Sequence, residues 1–133
     1  MEIEENKAAI RRFLSQEVFF GGSLAVVDEV FAPDVVWRSP GNGDELSSGT
    51  DIIKRELRNY QDQYEDHGGE IAILEQIAEG DSVATRYRLV VYEQKYVGVT
   101  FSRFADGRIQ EYRVVVALEA VLEEVRSAGR GHN

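Results

Sequence analysis

The chain has 133 residues and a formal net charge of −9, from 24 acidic and 15 basic side chains. That length is one domain, able to bury roughly two-thirds of its unfolded surface without covalent staples. The acidic balance argues against nucleic acid or an anionic membrane as partner. No cysteine is present to form a disulfide, a thiolate nucleophile or a thiolate metal site, and no apolar run is long enough to span a membrane. The opening MEIEENKAAI is acidic and has no apolar signal region, so a cytoplasmic protein is expected.

Asn6 to Phe20 is predicted as one helix, with Ile10, Phe13, Leu14 and Val18 at helical spacing. Gly21-Gly22 stops it. Ser23 is expected to cap a second, short helix with Val26, Val27, Val30 and Phe31 inward. Ala32-Pro33 ends that helix, because a residue before proline is pushed out of the α region. Asp34 to Ser39 follows as a strand, with Val35, Trp37 and Ser39 on one face and Val36 and Arg38 on the other. Pro40 to Gly49 reads as a polar loop. Its G-x-G opens no helix, so it is a turn and not a phosphate loop. A third helix is predicted from about Thr50 to Glu65, with a stripe of Ile53, Leu57, Tyr60 and Tyr64. Asp66 to Gly69 breaks it.

Glu70 to Ala78 is the next strand, and Glu79-Gly80-Asp81 turns the chain. Ser82 to Tyr92 alternates. A turn at Glu93-Gln94 would set Tyr87 opposite Thr100 and Leu89 opposite Gly98. Residues opposite one another share a face. One face then holds Thr85, Tyr87, Leu89, Tyr96, Gly98, Thr100 and Ser102, and the other holds Arg86, Arg88, Val99, Phe101 and Arg103. Asp106-Gly107 is a hairpin signal between Lys95–Phe104 and Arg108–Val116, which makes these strands the central hairpin of the sheet. In the second strand Gln110, Tyr112, Val114 and Val116 share one face, and Ile109, Glu111, Arg113 and Val115 the other. Ala117 to Arg126 is predicted helical. Residues 1–126 are one domain, and 127–133 are expected to be a frayed tail. Helices followed by a long antiparallel sheet indicate an α+β fold with the helices on one face.

NKAAIRRFL, GGSLAVVDEVFAPDVV, IAEGDSVATRYRL and FSRFADGRIQEY resemble the nuclear transport factor 2-like superfamily, and most of all its SnoaL-like polyketide cyclase branch. The resemblance runs from about Asn6 to Val125. It implies a curved sheet wrapped around helices into a cone with an internal ligand pocket, and often a dimer through the convex sheet face. Cyclisation, ketosteroid isomerisation, dehydration and epoxide hydrolysis occur in the superfamily, and some members only bind. Fold alone does not choose among these. Carried over by position, the cyclase's last-strand aspartate corresponds to Val114. The isomerase's proton-shuttling aspartate corresponds to Ser39, its tyrosine donor falls near Ser15, and its protonated aspartate near Thr100. Neither set of catalytic groups is therefore present. Tyr112, Val114 and Val116 occupy positions that line the pocket in such isomerases.

The expected pocket holds Phe13, Trp37, Ser39, Tyr60, Tyr87, Tyr96, Thr100, Ser102, Tyr112, Val114 and Val116. An apolar cavity with converging hydroxyls is a common small-molecule site. Tyr87 and Tyr112 are the candidate catalytic groups, since a phenol aimed at a carbonyl stabilises a developing enolate. Asp34, Asp62 and His67 are the available bases. A cofactor-independent enzyme acting on a small hydrophobic or aromatic molecule is the leading expectation, and a non-catalytic binding or dimerising domain is the alternative. The two histidines match no metal motif, so no metal is expected. Arg86, Arg88, Arg103, Glu111 and Arg113 are expected to form a convex-face ion-pair ladder. Val99 and Phe101 lie among them at an expected homodimer interface.

Overall fold

A computed structural model describes residues 2–38, 47–64 and 69–119. The order is α1 (Glu2–Phe13), α2 (Gln16–Phe19), α3 (Ala25–Val30), β1 (Phe31–Arg38), β2 (Ser47–Ser48), α4 (Thr50–Tyr64), β3 (Gly69–Glu79), β4 (Ser82–Val91), β5 (Gln94–Ala105) and β6 (Arg108–Leu118). The strands form one sheet in the order β2-β1-β6-β5-β4-β3. The sheet is curved and its inner face holds the helices, which is the expected α+β arrangement.

The alternating burial of β4 follows from its sequence. Val83, Thr85, Tyr87, Leu89 and Val91 are buried, while Arg86 and Arg88 are exposed. Strand side chains point alternately to the two faces, so one face joins the core and the other meets solvent. The core combines Val83, Tyr87, Leu89, Phe104, Ile109 and Tyr112 of the sheet with Ile10, Phe13, Val27, Val30, Ile53 and Leu57 of the helices. Polar links fix the helices to one another and to the sheet. Lys54 Nζ donates to Asp28 Oδ2 at 2.7 Å, Gln61 Nε2 donates to the Val18 carbonyl at 2.8 Å, and Gln76 Nε2 donates to the Lys7 carbonyl at 3.1 Å.

Several local expectations need correction. The first predicted helix is two helices. Ser15 Oγ accepts from the Val18 amide and donates to the Arg12 carbonyl, which ends α1 and caps α2. Ser23 does not cap α3, because Leu24 stands at that position and makes no side-chain cap. Strand β1 begins at Phe31, before Pro33, and the predicted polar loop contributes Ser47–Ser48 as a short strand antiparallel to Val36–Trp37. The β4–β5 turn is Tyr92-Glu93, one residue earlier than expected, with φ of 50° and 64°. Tyr87 therefore opposes Gly98, Thr85 opposes Thr100, and Leu89 opposes Tyr96. This register differs from the expected one by two residues. The strand period is also two, so the assignment of side chains to faces survives.

The Asp106-Gly107 hairpin forms as expected, with φ of 52° and 81° suited to a two-residue turn. Beyond it the alternation breaks. Arg103 pairs with Glu111 but Phe104 pairs with Ile109, so Gln110 is an extra residue in β6. Such a bulge turns the next side chain over. Ile109 consequently enters the core with no exposure, against the face expected for it. Gln110 Nε2 instead donates to Asp34 Oδ1 at 3.0 Å. At the far end Ala117 and Leu118 continue β6, paired with Val97 and Tyr96, and only Glu119 is helical. The rest of the predicted last helix, and the tail, lie outside the described residues.

Candidate functional site

Two concavities among the described residues bear on function. The larger, about 380 Å³, is a groove on the convex face beside Ile77, Phe101 and Arg113. The smaller, about 160 Å³, lies on the concave side between the sheet and the helices. The smaller one is the candidate site, because tyrosines, the tryptophan and an acidic residue line it together. The larger is floored by strand backbone and ion-paired side chains.

Phe13, Trp37, Tyr60, Tyr87, Tyr112 and Val114 line the smaller cavity, as do Phe19, Glu56 and Leu57. Tyr112 is the hub of the wall. Its ring meets Phe13, Phe31 and Trp37 edge-to-face, with centroids 5.7, 5.4 and 5.5 Å away. Edge-to-face rings of this kind hold one another in orientation. The Trp37 contact arises because β1 runs parallel to β6 with Trp37 directly beside Tyr112. Phe19 stands 5.7 Å from Tyr60 and joins α2 to α4 at the opposite wall. Tyr87 packs against Gly98, where only a hydrogen leaves it room.

Burial pushes the Tyr87 phenol pKa up to about 12. Tyr112 is driven well above the ordinary phenol value, first by burial and then by the neighbouring Tyr87, while the Thr100 hydroxyl opposes the shift. Thr100 Oγ1 has no hydrogen-bond partner of normal geometry, so its contact with Tyr112 is weak beside the effect of burial. Both phenols are therefore fully protonated donors at neutral pH.

The remaining expected lining residues fall elsewhere. Thr100 and Ser102 are on the inner face but do not line the cavity, and neither hydroxyl makes a hydrogen bond of normal geometry among the described residues. Tyr96 is half-buried at the margin of the core and does not reach the cavity. Val116 is 43% exposed, because β6 runs on past the cavity before it ends. Ser39 and His67 lie outside the described residues. Asp34 and Asp62, named as possible bases, are exposed and do not line the cavity. The acidic residue that does, among the described residues, is Glu56. Its position could have been read from the helix pattern. It follows Ile53 by three residues and precedes Tyr60 by four, which places it on the same face as both.

Residues 7–112 match the SnoaL-like domain. The chain belongs to that family. No curated protein matches the sequence. Among solved structures, the SnoaL-like chain is similar to a Kribbella flavida DSM 17836 protein put forward as a ketosteroid isomerase. Identity is 20%, the TM-score is 0.71, and 87% of this chain and 80% of that one are covered. It is similar to IdmH of Streptomyces antibioticus, put forward as a polyketide cyclase, at 21% identity and TM-score 0.70, covering 84% and 91%. It also resembles an Acidithiobacillus ferrooxidans protein put forward as a polyketide cyclase, at 20% identity and TM-score 0.71, covering 93% and 96%. Identities this low establish the shared fold and leave the chemistry to the site.

Of the expected convex-face ladder, Arg86, Arg88, Arg103 and Glu111 form ion pairs. Arg86 Nε meets Glu75 at 2.7 Å, Arg103 Nη2 meets Glu111 at 3.0 Å and Arg88 Nη2 meets Glu119 at 3.1 Å. Exposed pairs of this kind are each worth only about 0.2–1 kcal/mol. No described helix is long and apolar enough to cross a membrane. The described residues hold no group of three or more histidine, cysteine or carboxylate side chains able to bind a metal ion.

Proposed function

We propose that this SnoaL-like domain is a cofactor-independent enzyme. Its substrate would be a small cyclic, polyketide-like hydrophobic molecule, cyclised, isomerised or dehydrated through an enol-like state. The observation that supports this is the convergence of Tyr87, Tyr112 and Trp37 on one cavity, with both phenols kept protonated. A phenol O–H donated to a substrate carbonyl strengthens as negative charge develops on the oxygen. Loss of one such donor costs about 2.7–4 kcal/mol of transition-state stabilisation. The indole supplies a flat apolar surface for a conjugated ring. At about 160 Å³ the cavity is smaller than the usual drug-sized site, which favours one or two rings over a four-ring steroid.

The alternative is a non-catalytic small-molecule binder. It is favoured by a lining made chiefly of hydrocarbon and phenol, with Val114 where the cyclases carry their aspartate. We further propose a homodimer through the convex face, where Ile77, Phe101 and Val115 are exposed apolar side chains among the ion pairs. A mixed apolar and charged patch suits a twofold interface.

Trp37 is the only tryptophan in the chain, so it reports on the cavity without interference. Titration with tetralones, naphthols, anthraquinones and flavonoids should shift or quench its emission with saturation. Tyr112→Phe should weaken the response to carbonyl-bearing ligands. Trp37→Ala should keep the fold and lose binding as measured by equilibrium dialysis. If Trp37 were only packing, that change would cost about 3–5 kcal/mol of stability. An emission spectrum unmoved by the whole panel, with a collapsed Trp37→Ala variant, would overturn the proposal.

A further inference from the structure

The proposed chemistry requires a group that removes a proton from carbon, and phenols held protonated cannot serve. Among the described residues that line the cavity, Glu56 is the one acid other than the tyrosines. Its helix is held in place from three sides. Ile53 and Leu57 are buried in the core, Lys54 is paired to Asp28, and Gln61 donates to the Val18 carbonyl. Glu56 is one turn from Tyr60 on the same face, so helix geometry aims both toward the cavity. Three other glutamates are committed to cations: Glu29 to Arg12, Glu75 to Arg86 and Glu111 to Arg103. Glu56 enters no ion pair among the described residues. Glu56 is exposed and also contributes to the cavity wall, which places it at the cavity mouth.

We infer that Glu56 is the proton-transfer residue of this cavity, working on a small cyclic ketone or enone whose carbonyl is held by Tyr87 and Tyr112. This rests on the enzyme reading given above. A Glu56 carboxylate oxygen takes the α-proton of the bound ketone. The C–H electron pair becomes the enolate carbon–carbon double bond, and the carbonyl π pair moves to oxygen, where the phenol O–H groups stabilise it. The resulting carboxylic acid returns the proton to the α-carbon, or to the γ-carbon of a conjugated dienolate, which shifts the double bond. Charge and atoms balance, and no oxidant or reductant is needed. General base catalysis of this kind contributes about 10²–10⁴-fold.

The test uses 2-tetralone as probe. Proton NMR in D₂O follows exchange of its α-hydrogens, and Trp37 emission follows its binding. The wild-type protein should accelerate exchange over buffer. Glu56→Gln, isosteric and exposed, should keep the melting temperature and the emission response but lose exchange by about 100-fold or more. Asp62→Asn, which alters another exposed acid of the same helix, should leave exchange unchanged. Exchange that persists in Glu56→Gln overturns the assignment. Saturable binding without exchange in the wild type overturns it and leaves the binding reading standing. Failure of 2-tetralone and of every ligand in the wider panel to move Trp37 emission removes the enzyme reading and this inference together.

Discussion

Gly98→Ala tests whether the Tyr87 wall is built as described. A Cβ at Gly98 would lie 2.3 Å from Tyr87 Cζ, 2.5 Å from its hydroxyl oxygen and 2.6 Å from Cε1. Ordinary contact begins near 3.4 Å, so the ring must retreat by about 1 Å, the difference between 3.4 and 2.3 Å. Overpacking of this order costs about 1–3 kcal/mol. The backbone works in the opposite direction. Gly98 has no positive φ, so alanine fits the strand, and relief of glycine's excess entropy returns roughly 0.5–1 kcal/mol. The net expectation is a loss of about 0–2.5 kcal/mol. A ring that retreats toward the cavity it lines should weaken ligand binding as well. Urea unfolding gives the stability, and Trp37 emission gives the binding. In a Tyr87→Ala background the clash is absent, so Gly98→Ala should then be neutral or stabilising. The double-mutant cycle should show a coupling of about 1–3 kcal/mol. Additive effects of the two changes, or a Gly98→Ala protein more stable than wild type, would refute the placement of Tyr87.

Alkaline titration should destabilise the domain in a defined window. The Tyr87 phenol ionises near 10 when unfolded and near 12 when folded, so its stabilising contribution is complete below pH 10 and falls as pH rises toward 12. Those two units correspond to about 2–3 kcal/mol, with Tyr112 steepening the loss, and Tyr87→Phe should flatten the unfolding profile above pH 10. Light scattering at micromolar concentration should give twice the chain mass of 15.0 kDa. Phe101→Glu should give the single mass, and a wild-type monomer across that range would refute the proposed dimer.

Much of the fold was legible because its signals are local. Asp106-Gly107 specified a tight hairpin through the positive φ both residues adopt. Alternation in β4 and β5 sorted core from surface correctly even though the expected turn was misplaced, since a two-residue slip preserves the faces. The helical stripe of α4 placed Ile53, Leu57 and Tyr60 inward. Glu56 was passed over because a charged residue breaks the apolar pattern by which such stripes are read, although its spacing satisfied it.

By itself the sequence determined most of the element types, the aromatic inner face and its charged outer face. Each depends on side chains only a few residues apart. Tertiary structure decided what those elements do to one another. The parallel pairing of β1 with β6 set Trp37 beside Tyr112, joining residues 75 positions apart. The bulge at Gln110 exchanged Ile109 into the core. Packing of α4 against the sheet put Glu56 on the same cavity as Tyr87 and Tyr112, and left Thr100, Ser102, Tyr96 and Val116 away from it. No local period carries such information. Strand parity states which face a residue occupies, but where along that face a cavity opens depends on which helix covers it.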